Sequence, residues 1–336
     1  MPAPLVASVQ PARAIEGGRV TILGSGFDVN GADLPDVRFG NTPARLVFAS
    51  SSRLIALVPP GIAEAGRVAI RVAGSNGVAA SVEIATRFAT GLHQVDNPVF
   101  DRAGNLYVTY SGTRGLQVPV SVFRVRPNGT RESFASGIVN PTSIAVGPNG
   151  RLYVSSRFEG IVYKLEDDGE AKPFATDLGV ACGMAFGSDG TLYVGDRTGT
   201  IFQIDEHGRT KTFATLPASV AAFHLALGPD GALYVAGPTL APYDAVYRVD
   251  QAGSVSVRTQ AFGRPQGLAF DRSGTLFVAE ALAGSSGLYR LPSNGQPELV
   301  LAGPGLVGVA FDGNGGLVVC SNDNAYRLPT QAPQLS

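Results

Sequence analysis

Short runs in which apolar residues hold every second position recur along the chain and are separated by Gly, Pro, Asn and Asp. Such alternation over four to six residues predicts half-buried β-strands. From residue 104 onward the runs repeat. Gly104-Asn-Leu-Tyr-Val108, Gly150-Arg-Leu-Tyr-Val154, Gly190-Thr-Leu-Tyr-Val194, Gly231-Ala-Leu-Tyr-Val235, Gly274-Thr-Leu-Phe-Val278 and Gly315-Gly-Leu-Val-Val319 follow one another at intervals of 46, 40, 41, 43 and 41 residues. An apolar strand precedes each glycine, and the Pro-Asn-Gly or Ser-Asp-Gly between them is hairpin chemistry, with glycine supplying the positive φ. A third strand follows each pair (Val122 to Val125, Val162 to Leu165, Ile201 to Ile204, Val246 to Val249, Leu288 to Leu291, Ala325 to Leu328). The fourth strand carries Phe134-Ala135, Phe174-Ala175 and Phe213-Ala214, then the degenerate Val255 to Val257 and Leu299 to Leu301.

Six units thus have five fourth strands. The missing one is expected upstream, at Arg87-Phe88-Ala89-Thr90, which matches Pro173-Phe174-Ala175-Thr176. Repeats of about 41 residues with four strands each predict a six-bladed β-propeller. A closing strand at residues 86–90 removes the exposed edges an open array would keep. Residues 1–85 follow another pattern: Val6 to Val9, Val20 to Leu23, Val37 to Phe39, Leu54 to Val58, Val68 to Val72 and Ser81 to Ile84 read as the strands of a small β-sandwich. The expected division is therefore all-β throughout: an immunoglobulin-like sandwich over 1–85, a propeller over 86–329, and a tail over 330–336. With almost no linker between Ile84 and Arg87, the two domains should be rigidly joined, with the sandwich at the outer rim or on the face opposite the channel mouth.

The Leu-Tyr-Val signature with its preceding glycine resembles NHL-repeat proteins, an architecture shared by the gluconolactonase, strictosidine-synthase-like and virginiamycin B lyase families. The resemblance covers residues 87–329 and implies the fold, while propellers host unrelated activities. Gln10-Pro11, Gly17-Gly18-Arg-Val-Thr-Ile-Leu-Gly24-Ser-Gly26-Phe27, Val37-Arg-Phe39-Gly40 and Pro59-Pro60 resemble an IPT/TIG domain, a family with an immunoglobulin-like fold that serves mainly as an interaction or spacer module.

Composition agrees with a turn-rich globular chain. Of 336 residues, 43 are Gly and 23 Pro, and 16 % are charged against 44 % hydrophobic. A net charge of −1, with cations scattered, gives no electrostatic reason to bind nucleic acid. No apolar run approaches the roughly 20 residues of a membrane helix. The start, Met1-Pro2-Ala3-Pro4-Leu5, lacks the charged and apolar regions of a signal peptide, which leaves a cytoplasmic protein or, the favoured expectation, a secreted or cell-surface one whose leader has been removed. Cys182 and Cys320 fall in blades three and six, on opposite sides of the ring, too far apart for a direct disulfide.

In a propeller the loops entering each first strand and those leaving each second strand gather on one face. Alignment by the hairpin glycines places Asp96, Thr142, Cys182, Phe223, Gln266 and Val307 in one ring around the channel, and Asn97, Ser143, Gly183, His224, Gly267 and Gly308 in the next. Arg157, Asp196, Arg197, Glu280, Asn322 and Asp323 follow second strands on the same face, and Arg264 precedes a first strand there. Resemblance to gluconolactonases implies a divalent metal held by a carboxylate and further Asn or Asp ligands in the first ring, and Asp96-Asn97-Pro98-Val99-Phe100 is similar to that family's first ligand motif. Only one carboxylate occupies the ring, so no cofactor is expected, and a metal such as calcium belongs to the enzyme reading alone. A lyase of the virginiamycin type would need a histidine and acidic residues converging; His224 and Glu280 are the pair available, beside Asp96. Asp28-Val-Asn30-Gly-Ala-Asp33 is expected to be a solvated turn. Gly-x-Ser-x-Gly, P-loop and His-Glu-x-x-His motifs are absent.

Two functions fit these residues. One is a non-catalytic binding or scaffold protein presenting the propeller face (Asp96, Asn97, Thr142, Arg157, Asp196, Arg197, His224, Arg264, Gln266, Glu280, Asn322) to a protein or glycan partner. The other is a lactone hydrolase or lyase working at the channel mouth through Asp96, His224 or Glu280.

Overall fold

A computed structural model describes residues 3–29, 34–62, 66–75, 80–282 and 284–328. The tail at 330–336 and residues 30–33 of the turn after Asp28 lie outside the described residues. Among the described residues every element is a strand, and no helix is long and apolar enough to cross a membrane.

Six four-stranded antiparallel blades, with strands a to d running outward from the axis, form the larger part of the molecule. Blade one comprises Val99–Phe100, Leu106–Thr109, Val122–Val125 and Arg131–Ala135. Blade two comprises Pro141–Val146, Leu152–Ser156, Ile161–Leu165 and Ala171–Ala175. Blade three comprises Ala181–Phe186, Leu192–Asp196, Thr200–Ile204 and Thr210–Thr215. Blade four comprises His224–Leu227, Leu233–Ala236, Asp244–Val249 and Val255–Phe262. Blade five comprises Pro265–Phe270, Leu276–Glu280, Gly287–Leu291 and Glu298–Ala302. Blade six takes Leu306–Phe311, Leu317–Ser321 and Asn324–Leu328 from the C-terminal end, and Thr86–Thr90 as its outer strand. Arg87 lies opposite Tyr326 and Ala89 opposite Ala325, so the ring is closed by strands from both ends of the repeat region.

The repeat signature has a packing cause. Leu106 and Val108 of strand b face Val318, Cys320 and Ala325 of blade six, while Tyr107 between them faces Ile144, Leu152 and Val154 of blade two. Strand b is thus buried on both faces, and successive side chains serve alternate neighbours. The tyrosine meets the Phe of strand d, edge-on for Tyr107 with Phe134 at 5.0 Å and Tyr153 with Phe174 at 5.1 Å, and tilted at 55° for Tyr193 with Phe213 at 4.9 Å. The six hairpin glycines, Gly104 to Gly315, have φ between 72° and 87°, a region that penalises any side chain.

The described residues of the 3–85 segment form two facing sheets. Leu5–Gln10, Arg19–Ser25, Arg53–Leu57 and Leu46–Ala49 make one. The other contains Arg13–Ala14, Ser81–Ile84, Gly66–Val72, Val37–Phe39 and Thr42–Pro43. Val20 and Ile22, Leu54 and Ala56, and Val68, Ile70 and Val72 alternate inward to fill the core between them.

The second of these sheets does not stop at the domain edge. Ala14 pairs in parallel with Ala302, so Arg13–Ala14 joins strand d of blade five to the sandwich as one nine-stranded sheet. The Ile15 amide donates to the Ala302 carbonyl at 2.9 Å. Ala302 belongs to the sandwich core and Ile15 to the core between blades five and six, while Arg87 is ion-paired with Glu16. The sandwich is thereby fixed to the outer rim.

Candidate functional site

Six first strands converge on the axis so tightly that small residues are required where they touch. A Cβ on Gly308 would lie 2.6 Å from the Asp96 carbonyl oxygen and 3.0 Å from the Asn97 Cα. Asn97 ties three blades there, its Nδ2 donating to the Leu268 carbonyl at 2.7 Å and its Oδ1 accepting from the Val309 amide at 2.9 Å.

Across this axis lies one polar contact. His224 Nδ1 is 2.7 Å from Asp96 Oδ1, and His224 Nε2 is 3.2 Å from Gln266 Oε1. Asp96 enters blade one and His224 begins blade four, opposite positions in a ring of six. Their contact therefore spans the channel. Neither is accessible, His224 being 0 % and Asp96 2 % exposed. Gln94 completes the arrangement: its Nε2 donates to the Asp96 carbonyl at 2.6 Å and its Oε1 accepts from the Thr109 amide at 2.8 Å. The plug separates a lower cavity of about 360 Å³, walled by first-strand residues including Phe100, Phe186 and Leu227, from an upper cup of about 340 Å³.

The cup opens on the loop face and is lined by Arg157, Arg197, Gln94, Gln266 and Asn322 against Val95, Val180, Ala222 and Val307. No carboxylate is among its lining residues. Among the described residues, neither guanidinium has an ion pair or a side-chain hydrogen bond. Burial, with Arg114 and Arg197 close by, holds the Arg157 pKa below the ordinary guanidinium value despite an opposing contribution from Cys182. Burial also lowers His93, to which Arg157 adds and Asp323 partly opposes, and pushes the Cys182 thiol up to about 12. None of the lining residues comes from the sandwich.

The other candidates divide by what they hold. Glu280 ends strand b of blade five and accepts from the amides of Gly263 at 2.8 Å, Arg264 at 2.9 Å and Leu282 at 2.6 Å. Asp196, at the same place in blade three, accepts from the Val180 amide at 2.9 Å and from the Thr198 hydroxyl. Both carboxylates therefore anchor the loop entering their own blade, and the structure pairs His224 with Asp96, not with Glu280. Thr142 donates to the Asn140 carbonyl at 3.1 Å and is fully buried. Asn322 donates to the Gln94 carbonyl at 3.0 Å. Arg264 extends an exposed side chain beside the mouth.

Phe223 departs from the aligned ring. First strands of blades two, three, five and six carry a register shift near their start, whereas in blade four His224 faces Ala236 with no shift. One residue more or less reverses the side-chain faces. Phe223 accordingly packs between blades, with Cys182, Ile201 and Leu225 and against Gly195 and Gly237, while His224 turns to the axis. A hard divalent ion finds no fitting donor set at this level: Asp96 already meets His224, and the remaining first-ring positions supply Thr142, Cys182, Gln266 and Val307. Among the described residues no three His, Cys, Asp or Glu side chains cluster.

Two features of the site escape the sequence. Asp96 and His224 fall in opposite blades and could have been paired by counting blades. The unpaired state of Arg157 and Arg197 leaves no trace in the repeat pattern.

Residues 4–87 match the IPT/TIG domain family. No curated protein sequence matches the chain. Among solved structures, an auxiliary nutrient binding protein from Bacteroides ovatus is similar over 98 % of both chains, at 15 % identity and a TM-score of 0.57. A gluconolactonase from Xanthomonas campestris is similar over 90 % of this chain and 99 % of its own, at 15 % identity and a TM-score of 0.62. Virginiamycin B lyase from Staphylococcus aureus is similar over 98 % and 95 %, at 16 % identity and a TM-score of 0.51. The family match places an IPT/TIG domain at residues 4–87, and the likenesses, at such identities, speak for the fold alone, a β-propeller behind that domain.

Proposed function

We propose that the chain is a non-catalytic binding protein that presents the loop face of its propeller to a partner, a protein or a glycan, outside the cytoplasm. The observation that carries this reading is the sealing of His224, with no exposed surface, between Asp96 and Gln266. A general base must come within hydrogen-bond reach of the proton it moves, and a solute in the cup cannot touch this imidazole. The face around the cup supports docking. Leu116, Phe158, Val220, Leu240, Tyr243 and Leu282 all project from its loops, with Leu240 92 % exposed, and clustered exposed apolar side chains mark interaction surfaces. The nutrient binding protein, similar over its whole length, is in keeping with this reading.

The test sets binding against turnover. Purified protein is incubated with glucono-δ-lactone, other lactones and cyclic depsipeptides, with millimolar calcium, magnesium, manganese or zinc, and product formation is followed. No hydrolysis or elimination above buffer is expected. Turnover that vanishes in His224→Ala or Asp96→Ala would establish the lactonase or lyase reading instead.

A further inference from the structure

The cup combines three chemistries that belong together in one ligand. Arg157 and Arg197 supply two guanidiniums with no carboxylate among the residues that line the cavity. Arg157, half-buried at the wall of a part-apolar cavity, is costly to leave without an anion, Arg197 adds an exposed second charge beside it, and their planar donor forks match a carboxylate. Around them stand side-chain amides with capacity to spare. Asn322 uses its Nδ2 on the Gln94 carbonyl and has no recorded partner for its Oδ1 among the described residues, and Gln266 uses only its Oε1, on His224. Such amides suit hydroxyl groups. Val95, Val180, Ala222 and Val307 complete the wall with apolar surface, and the volume of about 340 Å³ is at the small end of the range for small-molecule sites.

We infer that the mouth is a binding site for a uronate, a sugar residue bearing a carboxylate, with Arg157 and Arg197 holding the carboxylate and Gln266 and Asn322 meeting hydroxyls. This rests on the binding reading above and makes the partner an acidic glycan. Nearby carboxylates do not compete for the guanidiniums: Asp196 and Glu280 are occupied by backbone amides, and Asp96 is buried against His224. Phe158 follows Arg157 directly and is 54 % exposed, an aromatic face beside the cup on which a neighbouring sugar ring can lie.

Isothermal titration of the full chain with galacturonate and glucuronate, their methyl esters, inorganic phosphate and an acidic peptide ending in Glu tests the assignment. A uronate should bind, and esterification should weaken it at least tenfold because the charge is gone. Arg157→Gln and Arg197→Gln should each weaken binding roughly tenfold to a hundredfold. Arg102→Gln, in an exposed hairpin on the opposite face, should leave it unchanged, and the melting temperature of each variant separates lost binding from lost fold. Equal affinity for acid and ester, preference for phosphate or for the peptide, an equal loss in Arg102→Gln, or no uronate binding at all would overturn it. These outcomes are independent of lactone turnover: turnover defeats the binding reading itself, whereas uronate indifference without turnover defeats only the ligand class.

Discussion

Removing the imidazole from the plug tests whether the Asp96–His224 contact is a structural closure of the channel. In His224→Ala the Asp96 carboxylate, 2 % exposed and 2.7 Å from the ring nitrogen, loses its hydrogen-bond partner and gains a cavity beside it. Breaking one side of a buried pair costs about 3–5 kcal/mol, chiefly from the group left behind. A propeller of roughly 240 residues has an unfolding entropy of about 0.5 kcal/mol/K, so the expected fall in melting temperature is about 6–10 °C. Asp96→Asn keeps an acceptor for His224 Nδ1–H and should cost about 1–2 kcal/mol. The double variant Asp96→Asn, His224→Ala leaves no buried carboxylate stripped of its partner, so it should be more stable than the sum of the singles by about 1–3 kcal/mol. Differential scanning calorimetry on the full chain reads all three, with the propeller transition compared separately from that of the sandwich. A His224→Ala transition within about 2 °C of wild type, or strict additivity in the double variant, would falsify the structural assignment and reopen a role in chemistry.

Three further outcomes rest on the packing of the ring and its closure. Gly308→Ala places a Cβ 2.6 Å from the Asp96 carbonyl against backbone that cannot retreat, so a loss of about 1–3 kcal/mol is expected by thermal melting, and an unchanged Tm would count against the close packing of first strands. Deleting residues 1–84 should leave a soluble propeller, whereas deleting 1–91 also removes the partner of Asn324–Leu328 and should give aggregation from an open edge; equal solubility and melting of the two truncations would refute closure by Thr86–Thr90. Neither Cys182 nor Cys320, both buried with thiol pKa values raised by burial, should react with a disulfide reagent at pH 8 until the chain is denatured, and rapid native labelling of either would contradict the burial.

The repeat region is legible in sequence because its strands carry paired duties. Leu106 and Val108 face one blade and Tyr107 the other, so the Leu-x-Val frame survives in all six units, with Tyr between in the first four, Phe in the fifth and Val in the sixth. The sandwich is less legible where alternation fails. Leu46–Ala49 is a strand with two exposed residues at its centre, and Arg13–Ala14 is too short to have any period, although it carries the joint between domains. The ring assignment of Phe223 failed for a related reason: counting back from a hairpin glycine assumes that every first strand keeps the same bulge, and blade four lacks it. The roles of Glu280 and Asp196 were hidden because a carboxylate at the end of a strand reads identically whether it meets solvent or the amides of the loop that enters its own blade.

The joint itself bears on what the loop face can receive. A blade's outer strand normally offers unpaired backbone groups, and on blade five these are taken by Ala14 and Ile15. A Cβ on Gly18 would collide with the Ala302 carbonyl, so the sandwich reaches this edge only because the sequence is glycine there. Placed at the rim, the sandwich leaves the cup open and borders a separate cleft. Arg19 and Leu57 from the sandwich and Ala281, Gly284 and Ser286 from the loop of blade five line a cleft of about 330 Å³ between the domains. That loop also carries the exposed Leu282. A partner broad enough to cover the face as far as Leu282 therefore meets Arg19 as well, which adds a third cation, on a second domain, to the two in the cup. For an acidic glycan longer than one sugar, the continuous sheet through Ala14 and Ala302 fixes the distance between these cations, so that charges spaced along the chain can be matched without reorganising either domain.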